Sequence, residues 1–318
     1  MKRWFTPLQI EGALDTLSKH GIQSAPFRTK EGHWIGLIDV VDLLTFSLFV
    51  GNEEKDSELA PPSINLEEDN LNQLSARMKE FSLTRLSQVN LCGRYSLCRT
   101  LFLTSADISL RNPYVVISAK DPLYNVVTKF AAGIHRVVVS AENEAPCHIL
   151  TQSDLIQAIA ENCQERLGSS ANKTLEQLGL LGRVVTVNQK TKVVDAFSIL
   201  WDLKISGLGL VDDNGELVGN ISAADVKFLK DFNYAALLQT CGEFVAHNLS
   251  TAGKNRPLAT LVSVDKGSTL ADTVKLLAEN RLHRVYIVDS SSSKPKFPHG
   301  ILTLTDIAQI LSLQRYVN

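Results

Sequence analysis

A chain of 318 residues has room for about two domains, or for an array of repeats with a real hydrophobic core. Its 32 Lys and Arg against 34 Asp and Glu leave a net charge of −2, which removes the electrostatic basis for non-specific binding to nucleic acid or an anionic membrane. Hydrophobic residues at 44% and charged residues at 21% fit a soluble globular chain, and the longest apolar run, residues 43–50, falls short of the roughly 18 residues that suggest a membrane span. The opening Met1-Lys2-Arg3-Trp4-Phe5-Thr6-Pro7 meets an amphipathic segment too early for a secretion signal. Five cysteines without a Cys-x-x-Cys pair read as reduced thiols, so a cytosolic or nuclear home is expected.

Self-similarity is the main signal. Four segments end alike: Ile35-Gly36-Leu37-Ile38-Asp39-Val40-Val41-Asp42, Cys147-His148-Ile149-Leu150-Thr151-Gln152-Ser153-Asp154, Val218-Gly219-Asn220-Ile221-Ser222-Ala223-Ala224-Asp225 and His299-Gly300-Ile301-Leu302-Thr303-Leu304-Thr305-Asp306. Upstream of each stands a second shared block, beginning at Ile22-Gln23, Ile134-His135, Ile205-Ser206 and Leu282-His283. The step from the second residue of that block to the aspartate is 19 in the first three units (23 to 42, 135 to 154, 206 to 225) and 23 in the fourth (283 to 306). An enlarged loop at Ser290-Ser291-Ser292-Ser293-Lys294-Pro295 accounts for the difference.

In chain order, residues 1–50 form a first unit whose opening strand is short or missing. Residues 51–72 carry seven Glu and Asp with Pro61-Pro62, the composition of a linker, and residues 74–86 follow as a connecting helix, so that 51–86 separates the first two units. The second unit spans 87–165, a linker 166–180, the third unit 181–232 and the fourth 233–318. Within the third, residues 184–187 read as a strand and 193–203 as a helix with an apolar face. Residues 207–212 and 217–221 are two strands joined at Asp213-Asn214-Gly215-Glu216, and a helix opens at Asp225 and runs through Val226, Leu229 and Phe232. The unit is therefore β-α-β-β-α, and the fourth repeats it with helices over 270–280 and 306–313. The fold class is mixed α/β, built from four such repeats.

The hydroxyl-x-x-aspartate pairs Thr151 with Asp154, Ser222 with Asp225 and Thr303 with Asp306 stand at helix starts. There a carboxylate can accept hydrogen bonds from the vicinal hydroxyls of a ribose, and a Ser or Thr hydroxyl can donate to phosphate. The competing reading is an ordinary helix N-cap, stabilising by ~1 kcal/mol. Recurrence in three units favours the nucleotide. Asp42 holds the matching position in the first unit, but Asp39 replaces the hydroxyl there and its charge would repel phosphate. His135-Arg136 and His283-Arg284 occupy equivalent strand starts in the second and fourth units, where Arg binds phosphate oxygens as a fork and His titrates near neutral pH. The first and third units carry Gln23 and Ser206 at that place, so a cationic centre would be asymmetric. No phosphate-binding glycine loop, nucleophile elbow or His metal motif is present, and enzymatic activity is not expected.

These blocks resemble cystathionine-β-synthase (CBS) domains. Four of them in one chain, without an attached enzyme or channel, are similar to the gamma regulatory subunit of the AMP-activated and SNF1-related protein kinases, in a divergent form like the gamma-type CBS proteins of plants. The resemblance covers nearly the whole chain, most closely at Lys173-Thr174-Leu175-Glu176-Gln177-Leu178-Gly179, residues 205–225 and residues 283–306. It implies paired repeats, called Bateman modules, packed as a disc, with AMP, ADP or ATP as ligand and no cofactor or metal. It also implies a kinase catalytic and a scaffold subunit as partners, with no nucleic acid or membrane. By matching motif it assigns Asp154, Asp225 and Asp306 to ribose, and His135, Arg136, Thr151, Ser206, Ser222, His283, Arg284 and Thr303 to phosphate. Thr191 aligns with a family threonine near the ligand. Gln23, Asp39 and Ser153 depart from the kinase pattern by removing positive charge or adding negative charge. The alternative is an adaptor, or a regulator of an unrelated enzyme, that senses no nucleotide.

Overall fold

The computed structural model describes residues 24–28, 34–39, 115–140, 146–182, 184–228, 234–251 and 261–314. Asp42, Gln23, the acidic segment and the connecting helix lie outside these residues. The chain divides into two compact units. One takes residues 1–114, 192–207 and 222–240, and the other takes 115–191, 208–221 and 241–318.

Strands β1 (Ser24–Arg28) and β2 (Trp34–Asp39), of the first of these units, form an antiparallel hairpin with Ser24 opposite Asp39. The same unit holds α4 (Val193–Asp202), which buries Val193, Val194, Ala196 and Leu200. It packs on a 3-10 turn at Tyr234–Leu238, where the Val193 N–H donates to the Gln239 carbonyl. The helix expected to open at Asp225 is a 3-10 helix over Ala223–Phe228.

The second unit is built on a common β-α-β-β frame. Its second repeat runs β3 (Val116–Ser118), α1 (Leu123–Ala131), β4 (Arg136–Ser140), β5 (Pro146–Thr151) and α2 (Gln152–Ala160), continued by α3 (Cys163–Leu167). The fourth repeat runs β9 (Ser263–Asp265), α6 (Leu270–Glu279), β10 (Arg284–Val288), β11 (Gly300–Thr303) and α7 (Leu304–Gln314). Between them stand β6 (Thr186–Asn188), β7 (Gly207–Val211), β8 (Leu217–Ser222) and α5 (Cys241–Thr251). In each three-stranded sheet the middle strand is the one entered from the first helix. Strands β3 and β4, β6 and β7, and β9 and β10 pair in parallel, while β5 and β11 return antiparallel.

Each first helix ends the same way. Gly133, Lys204 and Arg281 take positive φ, and the next residue's N–H reaches back five places: Ile134 to Lys129, Ile205 to Leu200 and Leu282 to Leu277. This is a Schellman-type stop, which satisfies carbonyls that the helix end leaves open. Only Gly133 adopts the left-handed geometry without steric cost. The stop aims the chain into the strand that carries His135-Arg136, Ser206-Gly207 or His283-Arg284.

The core forms where α7 packs on α1 and α6 packs on α2. Phe130, Val137, Leu167, Val274, Leu277, Val285, Leu302 and Ile307 are fully buried there. Polar side chains cross this contact: Gln309 of α7 donates to the Ala131 carbonyl of α1 at 3.2 Å, and a buried one lies deeper. Buried Gln152 donates to the carbonyls of Phe130 and Ile134 at 3.3 and 3.4 Å and to Thr305 Oγ1 at 3.0 Å, joining the second repeat to the fourth. On the opposite face of the fourth repeat, Tyr286 packs with Leu217 and donates to Asn220 Oδ1 at 2.6 Å. A Cβ on Gly209 would stand 3.1 Å from that ring, so a residue without a side chain belongs there. The enlarged loop of the fourth repeat lies against the third repeat's turn. Lys294 donates to the Asn214 carbonyl at 2.9 Å, and the Leu217 N–H donates to the Lys296 carbonyl at 3.0 Å.

The segment between the second and third repeats is strapped onto the fourth. Ala171 and Leu175 are fully buried, Leu270 N–H and Ala271 N–H donate to the carbonyls of Lys173 and Ala171, and Leu181 bridges Gly300. A Cβ on Gly300 would overlap the Leu180 carbonyl oxygen and crowd the Leu181 Cα. Gly300→Ala is expected to destabilise the chain by about 1–3 kcal/mol, as overpacking against backbone does. Urea unfolding reads this as a lowered midpoint; an unchanged midpoint would show that the strap yields freely.

Candidate functional site

Each hydroxyl-x-x-aspartate pair closes a turn from a strand into a helix. The N–H and Oγ1 of Thr151 both donate to Asp154 Oδ2, at 2.8 and 2.7 Å. Thr303 does the same to Asp306 Oδ2 at 2.8 and 2.6 Å, and Ser222 to Asp225 Oδ2 at 2.7 and 2.8 Å. In return the N–H groups of Asp154 and Asp306 donate to the threonine oxygens at 3.3 Å. This is a reciprocal capping box. The cap, which is the competing reading of the motif, is thus present in the geometry: in each pair the hydroxyl stands within donating distance of the carboxylate. A related side-chain cap stands at Thr269 and Asp272, ahead of α6, where the Thr269 hydroxyl donates to Asp272 Oδ2 at 2.7 Å and accepts from the Asp272 N–H at 3.2 Å; a scan for the same spacing would have found it. Capping is thus the general role of the motif. The hydrogen bonds accepted by Asp154 and Asp306 fall on Oδ2, which leaves Oδ1 as the acceptor outside the cap.

The arginines are set by strand register. Arg136 opens β4 opposite Thr151, and Arg284 opens β10 opposite Thr303. Backbone hydrogen bonds tie the residue before each arginine to the helix start: Gln152 N–H to the His135 carbonyl at 3.0 Å, and Leu304 N–H to the His283 carbonyl at 3.3 Å. His135, Arg136 and Arg284 are half-buried, whereas His283 keeps accessible surface. The packing of the second repeat on the fourth brings Arg136, His283 and Arg284 close enough for both guanidiniums to act on the imidazole. Lost solvation in the crowded surroundings, then the charges of Arg284 and Arg136, push His283 down to about 4. Its ring is neutral near pH 7.

The sequence-assigned residues therefore fall in two places. His135, Arg136, Thr151, Asp154, Thr191, His283, Arg284, Thr303 and Asp306 belong to the second unit, and Ser206, Ser222 and Asp225 to the first. Thr191 sits in the turn before α4, where its carbonyl accepts from the Cys241 N–H at 2.8 Å. In the first unit the Ala223 N–H donates to the Ser206 carbonyl at 3.1 Å, the counterpart of the bonds at His135 and His283. Among the described residues no group of three His, Cys, Asp or Glu is placed to hold a metal. The cluster can bind an anion through its guanidiniums and a polyol through its aspartates.

Because the folded value of His283 lies near 4 and the ordinary value is 6.5, the unfolded chain binds the proton and the folded chain does not between those limits. Stability is full above pH 6.5 and declines as pH falls toward 4. His283→Gln is expected to flatten that part of the urea-midpoint profile. Equal slopes in variant and parent would contradict the desolvated, charge-flanked ring.

A CBS domain pattern matches residues 106–161, 181–229 and 257–313, together about half of the chain. Protein sds23 of Aspergillus niger is 32% identical over 203 residues, which cover 60% of this chain and 40% of that protein. Protein SDS23 of Scheffersomyces stipitis is 25% identical over 295 residues, covering 89% and 54%. The chain thus spans about half the length of these curated relatives. Among solved structures, protein MJ1225 of Methanocaldococcus jannaschii, proposed as an archaeal homolog of g-AMPK, superposes with a TM-score of 0.65 at 14% identity, covering 100% of this chain and 97% of that one. An uncharacterized conserved protein of Pyrococcus horikoshii gives 0.50 at 16% identity over 91% of both. Among the described residues no helix is long and apolar enough to cross a membrane. With the pattern matched three times and the repeated β-α-β-β frame in place, the chain belongs to the CBS domain family.

Proposed function

We propose that this chain is a non-catalytic regulatory protein that binds adenine nucleotides through its CBS repeats and controls a protein kinase complex of the SNF1 and AMP-activated type. The observation that carries the nucleotide part is the register that sets Arg136 and Arg284 opposite Thr151 and Thr303, the threonines capped by Asp154 and Asp306. In this reading the guanidiniums hold the phosphate and the outward Oδ1 atoms hold the ribose hydroxyls. Asp225, Ser206 and Ser222 of the third repeat, which belong to the first unit, serve a nucleotide by the same motif in this reading. The kinase part is supported by the four-repeat pattern and by the fold shared with the protein proposed as a g-AMPK homolog. The partners would be the catalytic and scaffold subunits.

A second reading has its own support. The curated relatives are Sds23 proteins, not kinase subunits by name, which favours a regulator of a different enzyme. Affinity capture with the intact chain separates the two. Recovery of an SNF1-type catalytic subunit supports the first, and recovery of a protein phosphatase or another enzyme in its place establishes the second.

The nucleotide part is tested by calorimetry with AMP, ADP and ATP at fixed salt. Asp306→Ala and Asp154→Ala each remove a charged acceptor worth about 1.5–3 kcal/mol, so affinity is expected to fall roughly 10- to 100-fold. The far-ultraviolet spectrum should be retained. Unchanged affinity in both variants would remove the aspartates from the site.

A further inference from the structure

We infer that Ser293, in the enlarged loop of the fourth repeat, is a phosphorylation site, and that a phosphate there releases this loop from the turn of the third repeat.

The loop sets the fourth repeat apart. Residues 289–299 join β10 to β11 without helix or strand, whereas residues 212–216 suffice between β7 and β8. Three of its four consecutive serines have committed hydroxyls. Asp265 takes the Ser290 N–H at 2.9 Å and also its hydroxyl, Ser291 Oγ donates to Asp289 Oδ1 at 2.6 Å, and Ser292 Oγ donates to the Lys294 carbonyl at 2.8 Å. A phosphate on Ser290 or Ser291 would stand against a carboxylate. Ser293 is exposed, and among the described residues its hydroxyl has no hydrogen-bond partner. The exposed cations Lys294 and Lys296 follow it, which gives a kinase with acidic side chains in its cleft a feature to read. An irregular exposed stretch also enters such a cleft without melting a helix or strand.

In the transfer, Ser293 Oγ forms a bond to the γ-phosphorus of a nucleoside triphosphate, the bond from that phosphorus to the bridging oxygen breaks, the diphosphate leaves, and the hydroxyl proton passes to the base of the protein kinase. The consequence follows from what the loop holds. Lys294 Nζ donates to the Asn214 carbonyl at 2.9 Å, the Leu217 N–H donates to the Lys296 carbonyl at 3.0 Å, and the Phe297 ring lies 3.4 Å from where a Cβ on Gly215 would stand. The turn beneath carries Asp212, Asp213 and Glu216, of which Asp213 is paired with Lys190. A phosphoserine adds a charge of about −1.5 to −2 near neutral pH. On the residue next to Lys294, it attracts the ammonium more strongly than a neutral carbonyl does, and the acidic turn repels it. Both effects draw the loop off the turn.

The test has two arms, both on the intact chain. Recovered from the cells that make it and digested with trypsin, the chain is expected to yield residues 285–296 as one peptide carrying an HPO3 group that fragmentation locates on Ser293. A peptide without phosphate, or with phosphate only on the three serines before Ser293, overturns the site. In the second arm, a chain with phosphoserine encoded at position 293 is compared with the parent by hydrogen exchange. The Leu217 amide is expected to exchange roughly tenfold faster, as loss of a hydrogen bond to a charged group allows, while the Val285 and Ile287 amides of β10 keep their protection. Lys294→Gln is expected to speed the same amide without a phosphate. Unchanged exchange at Leu217 in either chain overturns the release, and lost protection across β10 would show general unfolding in its place.

Discussion

A carboxylate that takes two hydrogen bonds on one oxygen governs this architecture. In each repeat where the turn from third strand to second helix is described, Oδ2 of the aspartate receives both the N–H and the hydroxyl of a Ser or Thr three residues earlier. Such a cap satisfies donors that the helix start leaves open and stops the strand at a defined residue. Because register is counted from that residue, Arg136 must lie opposite Thr151 and Arg284 opposite Thr303. At Asp154 and Asp306 the cap falls on one carboxylate oxygen and leaves the other as an acceptor outside it. Local folding and ligand chemistry thus use the two oxygens of a single side chain.

Much of this was legible in the sequence because the repeats are local. The helix read over 193–203 forms as Val193–Asp202, and the turn at Asn214-Gly215 has Gly215 at positive φ, as a tight hairpin requires. The shared position of the His-Arg pairs followed from spacing alone. What spacing could not show is which repeats touch. His283 and Arg136 lie far apart in the chain, and their meeting depends on α7 packing on α1 and α6 on α2. Residues 166–180 read as a linker between the second and third repeats. Yet Leu175 is fully buried and the strap is held by backbone groups, whose pairing leaves no mark in composition. Helix α5 was missed because Gly242 and Asn248 interrupt its apolar spacing, although Asn248 is buried with Cys241 and Phe244. A Ser or Thr near exposed N–H groups suits a phosphate and a cap equally, and residue type and spacing do not separate the two.

The asymmetry among repeats also acquires a physical sense. The second and fourth repeats place arginine where the third places Gly207, and only the arginine-bearing pair shares the core that Gln152 crosses. Cationic side chains of like sign repel, so bringing Arg136 and Arg284 to one imidazole costs free energy that the apolar contact beneath them must offset. Fully buried Phe130, Leu277, Val285 and Ile307 supply that contact, each worth on the order of 2–3 kcal/mol. Lost solvation, and then the charges of Arg284 and Arg136, hold His283 well below its ordinary value.

An anion entering such a site removes the repulsion that packing had to bear. A ligand that engages Arg136 and Arg284 together therefore binds more tightly when the two repeats are closely docked, and by reciprocity its occupancy favours docking. Gln152 stands at the point where that coupling would be felt, since its amide spans the Ile134 carbonyl, next to the His135-Arg136 pair, and the Thr305 hydroxyl, next to Asp306. Any shift of one repeat against the other must stretch or break those bonds in a buried place, where an unmade hydrogen bond costs about 1–3 kcal/mol.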